Sequence, residues 1–227
     1  MIYPAATVVL IKDSERGLET LLLRRSRKLD FVGGAWVFPG GRIDPEDYPD
    51  DRADSMESAA RQAAVREAGE EAGIFIDPHE LIYISHWITP EESPKRYDTW
   101  FFIAAVNSMA VRVDGSEIHE YRWFKPSDAL ESQRTGRIQL MPPTFVTLKE
   151  LSRFDAAAAV LEYHRGSPPA RYLPRIVMVP GGVCSLYSGD AGYETKDPDK
   201  PGSRHRFWMM ESGWHYEKSD TTRFAPP

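Results

Sequence analysis

The chain has one cysteine, Cys184, in 227 residues. A single thiol excludes an intramolecular disulfide framework and fits a reducing compartment. Taken alone, Cys184 reads as a small buried apolar residue rather than a reactive thiol. Long hydrophobic runs are also missing. The opening stretch MIYPAATVVLIKD has too short an apolar run and no basic flank for a signal peptide. No stretch approaches the roughly 20 apolar residues of a membrane span, so a cytoplasmic protein with no membrane partner is expected. Basic charge is scarce: 28 Lys and Arg against 34 Asp and Glu leave a net charge of -6 and a pI near 5.6. Phosphate backbones attract basic surfaces, so a nucleic-acid partner is not expected either. The six histidines show no His-Glu-x-x-His spacing, and there is no nucleophile elbow, Walker loop or internal repeat.

What is present suits one sizeable domain, alone or with an extension. Ala5 to Lys12 and Glu19 to Arg25 are strand-like and face each other across a turn at Ser14 to Gly17, which predicts an opening hairpin. AWVF then runs into Pro39, Gly40 and Gly41, where glycine lets the backbone turn tightly and approach a ligand. Arg42 to Ala53 is acidic and proline-interrupted, a pattern that argues against regular structure. A long helix is predicted from Asp54, an N-cap with Glu57 three residues on, to Gly73. Strands are predicted at Leu81 to Thr89, Tyr97 to Val106 and Glu117 to Phe124. Helices follow at Ser127 to Arg134 and Pro142 to His164, with Asp155 as a break or second cap. This interleaving predicts an α/β or α+β class, a mixed sheet between helices. The main domain is read as residues 1–165, and residues 166–227, rich in Pro, Gly, Tyr and Trp, as an extension too small to fold alone. RFWMM and WHYEK within it read as a hairpin. The aromatics of the extension fit a homodimer and intrachain packing equally.

The helix contains REAGEEAGI. Glu67, Glu70 and Glu71 stand at i, i+3 and i+4, on one face a turn apart. Their repulsion is unfavourable unless a positive charge sits among them, and hard oxygen ligands at this density suit Mg²⁺ or Mn²⁺. The plain alternative is a solvated helix face carrying an Arg66–Glu70 ion pair. Five fixed residues match by chance at roughly one start position in a million, which favours the functional reading.

The spacing Arg66-Glu67-x-x-Glu70-Glu71-x-Gly73-apolar, behind a strand ending in FPGG, resembles the Nudix box of the Nudix hydrolases. The resemblance implies a Nudix-like mixed sheet sandwiched between helices, with divalent metal held by Glu67, Glu70, Glu71 and the Gly41 carbonyl. Arg66 would organise the cluster, and Arg66, Glu67, Glu70 and a late carboxylate, Glu117 before Glu120, would serve catalysis. The front of the box departs from the pattern. Ser58 stands where the usual box has a glutamate, eight positions before Arg66, and Gly41 and Arg66 are 25 positions apart, a longer interval than the standard box has. Glu57 is adjacent, but one helical residue rotates a side chain by about 100°, so it does not simply replace that glutamate.

A second resemblance narrows the branch. Leu21, Leu22, Arg25, Ser26, Gly34, Phe38, Pro39, Gly40 and Gly41 match the motif ahead of the box in Nudix coenzyme A diphosphatases; Leu23 and Asp30 depart from it. WITPEESPKRYDTWFF and MPPTFVTLKEL are similar to the peroxisomal subgroup, although the ending FAPP is not its Ser-Lys-Leu address. The implied substrate is coenzyme A or an acyl-CoA, cleaved at its pyrophosphate. Such a small nucleotide ligand calls for cations, and Arg24, Arg25, Arg27, Lys28, Lys95 and Arg96 are candidates. Arg25, Ser26, Gly40 and Arg96 are the substrate-binding choices. NADH or ADP-ribose pyrophosphatase, or a catalytically weak Nudix-fold binding module, remain as other readings.

Overall fold

The computed structural model describes residues 1–26, 33–49, 55–107, 110–112 and 118–219. The chain forms two compact units: Tyr3–Ser85 with Thr99–Pro169, and Met1–Ile2 with His86–Asp98 and the described residues from Ala170 onward.

The first unit carries, in order, β1 (Ile2–Ser14), β2 (Gly17–Arg25), β3 (Trp36–Val37), β4 (Gly40–Arg42) and α1 (Ser55–Ala72). They are followed by β5 (Ile82–Ile88), β6 (Arg96–Ala105), β7 (Ile118–Phe124), α2 (Pro126–Arg134), α3 (Pro142–Leu151) and α4 (Ala157–Arg165). The far halves of β5 and β6 belong to the second unit. The hairpin β1–β2 is in register at Ser14↔Gly17, with Gly17 at φ 95°, a region that glycine enters without strain. β1 and β3 share one edge of β2, at Gly17–Thr20 and at Leu23–Arg24, and β7 takes the other edge. β4 pairs with Ala5–Thr7 of β1.

Alternate residues of a strand face opposite sides. Ala6, Val8, Leu10, Leu21 and Leu23 face a stripe of small residues on α1: Ala59, Ala60, Ala63, Ala64, Ala68 and Ala72. Val9, Ile11 and Leu22, of opposite parity, are also fully buried, so both faces of the sheet are covered. The class is α+β, as expected. Alanine removes side-chain bulk between helix and sheet, which lets α1 approach β4 closely. Gly73, at φ 66°, ends α1, and its N–H returns to the Gly69 carbonyl at 3.0 Å. The predicted N-cap, Asp54, lies outside the described residues.

The stretch read as helical to His164 with a break or second cap at Asp155 is two helices, α3 and α4, separated at residues 152–156. Asp155 does not cap the second. Its carbonyl accepts from Leu18 N at 3.2 Å, while the Asp13 carboxylate accepts from Ala157 N at 2.8 Å at the start of α4.

In the second unit, β8 (Ala170–Tyr172) follows β5 in strand order, and Trp87 stacks on Tyr172 at 3.8 Å, 5° from parallel. β9 (Arg175–Val179), β10 (Gly182–Leu186), β11 (His205–Met210) and β12 (Gly213–Lys218) form a separate sheet ordered β12-β11-β10-β9. The hairpin predicted around Ser212 is β11–β12. Cys184 is wholly buried with Leu186 and Tyr193, and burial pushes its thiol up to about 11, which fits a packing role. The loop before β11 is pinned by a buried ion pair, Arg206 Nη2 to Asp190 Oδ1 at 2.7 Å.

Candidate active site

β4 and α1 build the site. Gly40 and Gly41 pair with Thr7 and Ala6, which fixes their backbone against β1, and α1 crosses just behind them. The closeness of the approach is set by the glycines. A Cβ on Gly41 would lie 2.6 Å from Glu67 Cδ, and one on Gly40 would lie 2.8 Å from Thr7 Cα. The Gly40 N–H donates to Glu71 Oε2 at 3.0 Å, tying turn and helix together.

Three of the sequence-predicted acids therefore stand along one side of α1 at different depths. Glu71 is buried, Glu67 is mostly buried and Glu70 is 59% exposed at its side chain. Burial pushes the Glu67 carboxyl above its ordinary range, with Arg66 acting against that shift. Burial outweighs the single guanidinium beside it, so the positive charge of Arg66 compensates the carboxylate only in part.

Arg66 is the centre of the network. Its Nε and Nη2 donate to the two oxygens of Asp47 at 3.0 and 2.9 Å, and Nη2 also donates to the Arg42 carbonyl at 3.0 Å. Nη1 donates to Glu67 Oε1 at 2.9 Å and Glu70 Oε2 at 3.1 Å. The hydrogen bonds that Arg66 donates to Asp47 lead in raising the Arg66 pKa above its usual value. Asp47 was not among the residues read from sequence. It sits in a 3₁₀ turn, Pro45–Asp47, inside the acidic stretch read as irregular. The signal was Asp44-Pro45-x-Asp47, an acid and a proline at the start of a short turn, where proline at the first helical position and a reciprocal carboxylate are favourable.

The donor set fits a divalent cation. It consists of hard oxygens on one helix side, with a glycine cradle that a Cβ would fill and a desolvated carboxylate whose charge Arg66 offsets only in part. Among the described residues no three acidic or His/Cys side chains already converge on one point, because Arg66 Nη1 bridges Glu67 and Glu70 while Glu71 is turned to Gly40.

The other predicted residues lie elsewhere. Arg25 ends β2, with its backbone N–H on the Ala35 carbonyl at 3.0 Å, and its side-chain Nε is buried without a partner. Ser26 is buried and its hydroxyl lies 2.9 Å from His119 Nε2. Arg24 pairs with Glu120 at 2.9 Å across β2 and β7. Arg96 opens β6 in the second unit, where Nε donates to the Thr89 carbonyl at 3.3 Å. Glu57 holds Arg61 at 2.6 Å, one turn along α1. Glu117, Arg27 and Lys28 lie outside the described residues.

The NUDIX domain family model matches residues 1–143. The chain is 26% identical to the acyl-coenzyme A diphosphatase NUDT19 of Xenopus laevis, over 82% of this chain and 74% of that protein. It is 25% identical to NUDT19 of Homo sapiens, over 78% and 72%. The crystal structure of a NUDIX hydrolase from Alicyclobacillus acidocaldarius superposes with a TM-score of 0.62 at 25% identity, covering 71% of this chain and 96% of that one.

Proposed function

The chain belongs to the Nudix family and is a Nudix hydrolase, and we propose that within this family it hydrolyses the pyrophosphate of coenzyme A or an acyl-CoA. The observation that carries the chemistry is the placement of Glu67, Glu70 and Glu71 beside the Gly40–Gly41 backbone, with Arg66 between them. The substrate is supported by the similarity to the two acyl-coenzyme A diphosphatases across most of the chain. It is supported too by the Arg25-Ser26 and Phe38-Pro39-Gly40-Gly41 pattern.

Nudix hydrolases generally need a divalent metal. In this chain Mg²⁺ or Mn²⁺ would be held by Glu67, Glu70, Glu71 and the Gly41 carbonyl. The chemistry supplied there is neutralisation of charge on the nonbridging phosphate oxygens and a more nucleophilic water near neutral pH. The protein's part is positioning. Glu71 fixes the turn through the Gly40 N–H, Arg66 orients Glu67 and Glu70, and the unspent Arg25 Nε–H is a donor for a phosphate oxygen. Glu117 is proposed as the general base and Arg96 as a second phosphate contact. A cytoplasmic enzyme, acting on small nucleotide derivatives and assembled as a homodimer, completes the reading.

The test is metal-dependent hydrolysis of coenzyme A, acetyl-CoA, NADH, ADP-ribose and diadenosine polyphosphates, with products identified by mass. Adenosine 3′,5′-bisphosphate and a phosphopantetheine product, formed selectively from coenzyme A species, is the expected result. Turnover of NADH or ADP-ribose with coenzyme A inert removes the substrate assignment.

A further inference from the structure

We infer that His119, the bulged residue of β7, is a positioning residue for Arg25. Through Ser26 it holds the end of β2 so that the Arg25 guanidinium meets a phosphate of the substrate. The inference rests on the hydrolase reading for its substrate and on Arg25 as a phosphate donor, and adds a residue that acts only through the strand beside it.

β2 and β7 pair one to one from Thr20↔Phe124 to Arg24↔Glu120, and the next pair is Arg25↔Ile118. One step on β2 is therefore matched by two on β7, and His119 is the extra residue. A bulge of this kind bends its strand and re-aims the side chains beyond it. The consequence is visible in the core. Trp123 and Ile118 are of opposite parity, so an uninterrupted strand would turn them to opposite faces, yet both pack in the cluster against α1. Leu21 and Leu23 belong to the same cluster, and Arg25 follows them at the same parity, opposite Ile118. The Arg25 side chain thus leaves the sheet on the face covered by α1, the helix that carries Glu67, Glu70 and Glu71.

The His119 ring fixes this strand end. Its Nε2 lies 2.9 Å from the Ser26 hydroxyl, and Ser26 is only 3% exposed. A hydroxyl both donates and accepts, so either tautomer of the imidazole closes this hydrogen bond. On the other edge the Arg25 N–H donates to the Ala35 carbonyl at 3.0 Å, and the Arg25 carbonyl accepts from Gly34 N at 3.1 Å. Both backbone groups of Arg25 are thus spent toward residues 34 and 35, and His119 ties the edge toward β7 at the very next residue. What the anchored strand end carries is a buried Arg25 Nε without a partner among the described residues. A buried donor left unpaired is costly, and a phosphate oxygen is an acceptor that a guanidinium fits. His119 holds Ser26, Ser26 is bonded to Arg25, and any shift of that strand end moves the unspent donor.

The experiment is steady-state kinetics of the full chain with Mg²⁺ and coenzyme A, beside thermal melts, for wild type, His119→Ala, His119→Gln, Arg25→Gln and the double variant of His119→Ala with Arg25→Gln. His119→Ala is expected to raise KM about 10-fold, the loss of one charge-assisted hydrogen bond. A contact equally strong in ground and transition states acts on KM alone, so kcat is expected within about threefold of wild type, and the melting temperature within a few degrees. Glutamine places an amide nitrogen near the position of Nε2 and is expected to recover most of the loss. In the Arg25→Gln background, His119→Ala is expected to add less than about twofold, because His119 acts through Arg25. An unchanged KM in His119→Ala, a fall in kcat without a rise in KM, or effects that multiply in the double variant would each overturn the assignment. So would a His119→Gln enzyme as weak as His119→Ala, or a His119→Ala chain that does not fold. The substrate reading fails separately. If coenzyme A is inert and NADH or ADP-ribose is hydrolysed, the same comparison on that pyrophosphate decides His119, whereas a wild type that hydrolyses none of the three removes both.

Discussion

Gly40 and Gly41 are adjacent, yet adding a methyl group to each should damage different properties. A Cβ at Gly41 would fall 2.6 Å from Glu67 Cδ and 3.0 Å from Glu67 Oε2, so the Glu67 carboxylate must retreat by roughly 1 Å to reach ordinary contact. Glu67 is the end of a flexible side chain, and that movement costs the fold about 1–2 kcal/mol. The site suffers more. A displacement of about 1 Å in a positioned group costs on the order of 100-fold in rate, about 2.7 kcal/mol of transition-state stabilisation. Gly40→Ala meets backbone instead, with the Ala6 carbonyl and Thr7 Cα, the latter at 2.8 Å, on a strand that pairs with β4 and cannot yield. Its cost is placed at about 3 kcal/mol or more of folding stability. The assay is kcat and Mn²⁺ affinity beside thermal melts of both variants. Gly41→Ala with wild-type kcat and Mn²⁺ affinity, or Gly40→Ala with a wild-type melting temperature, would refute the reasoning that the glycines set the distance between β4 and α1.

Glu70→Gln removes one carboxylate charge at an exposed position; turnover is expected to fall at least about 100-fold, with the melting temperature within about 2 °C of wild type, and unchanged turnover contradicts the assignment. Asp190→Asn leaves Arg206 buried beside a neutral partner, where Asp190 now accepts from Gly192 N, His205 N, Arg206 Nε and Arg206 Nη2. A loss of about 3–5 kcal/mol is expected, read by denaturant titration of Trp208 and Trp214 fluorescence, and a loss below 1 kcal/mol argues against a buried pair. His205 is buried neutral, hydrogen-bonded to the Ser188 carbonyl and to Tyr216, and burial lowers its pKa to about 4. The unfolded chain, near 6.5, takes up the proton first. This stabilisation, about 3 kcal/mol, is present above pH 6.5 and is lost as pH falls through about 4. His205→Gln should flatten that slope, and a stability difference between variant and wild type that stays constant from pH 7 to 4.5 would contradict it.

Most of the first unit was legible because its signals are local. The strands of β1 and β2 follow from apolar, β-branched runs, and α1 from an alanine stripe closed by Gly73. The glutamate cluster follows from helical spacing alone. What sequence could not supply were contacts made across the chain by irregular segments. Asp47 meets Arg66 from 19 residues away, and nothing in the periodicity of either segment encodes that meeting. Asp13 caps α4 from 144 residues away, so the break was readable near Asp155 but its cap was not. His86–Asp98 joins the residues from Ala170 onward in one unit although more than 70 residues separate them. That grouping depends on partners such as Trp87 and Tyr172, whose pairing is a tertiary fact.

The stretched front of the box illustrates how a catalytic arrangement tolerates insertion. The fixed requirement is the distance between the Gly41 backbone and Glu67, and the chain between them is free to vary so long as that distance is held. Doubling a loop costs only about 0.6 kcal/mol in closure entropy, which is less than one charge-assisted hydrogen bond contributes. Arg66 supplies several, to Asp47 and to the Arg42 carbonyl, and so fastens the residues on the β4 side of the loop directly to the helix. The segment that follows Asp47 is thereby relieved of any role in setting the site. Length beyond Asp47 is therefore expected to be adjustable with little effect on turnover, whereas any change between Gly41 and Asp47 alters the position of Arg66. Deleting two residues within 50–53 tests this: kcat within threefold of wild type is the expected result, and a loss of about 100-fold or more would show that the whole loop holds Glu67 to Gly41.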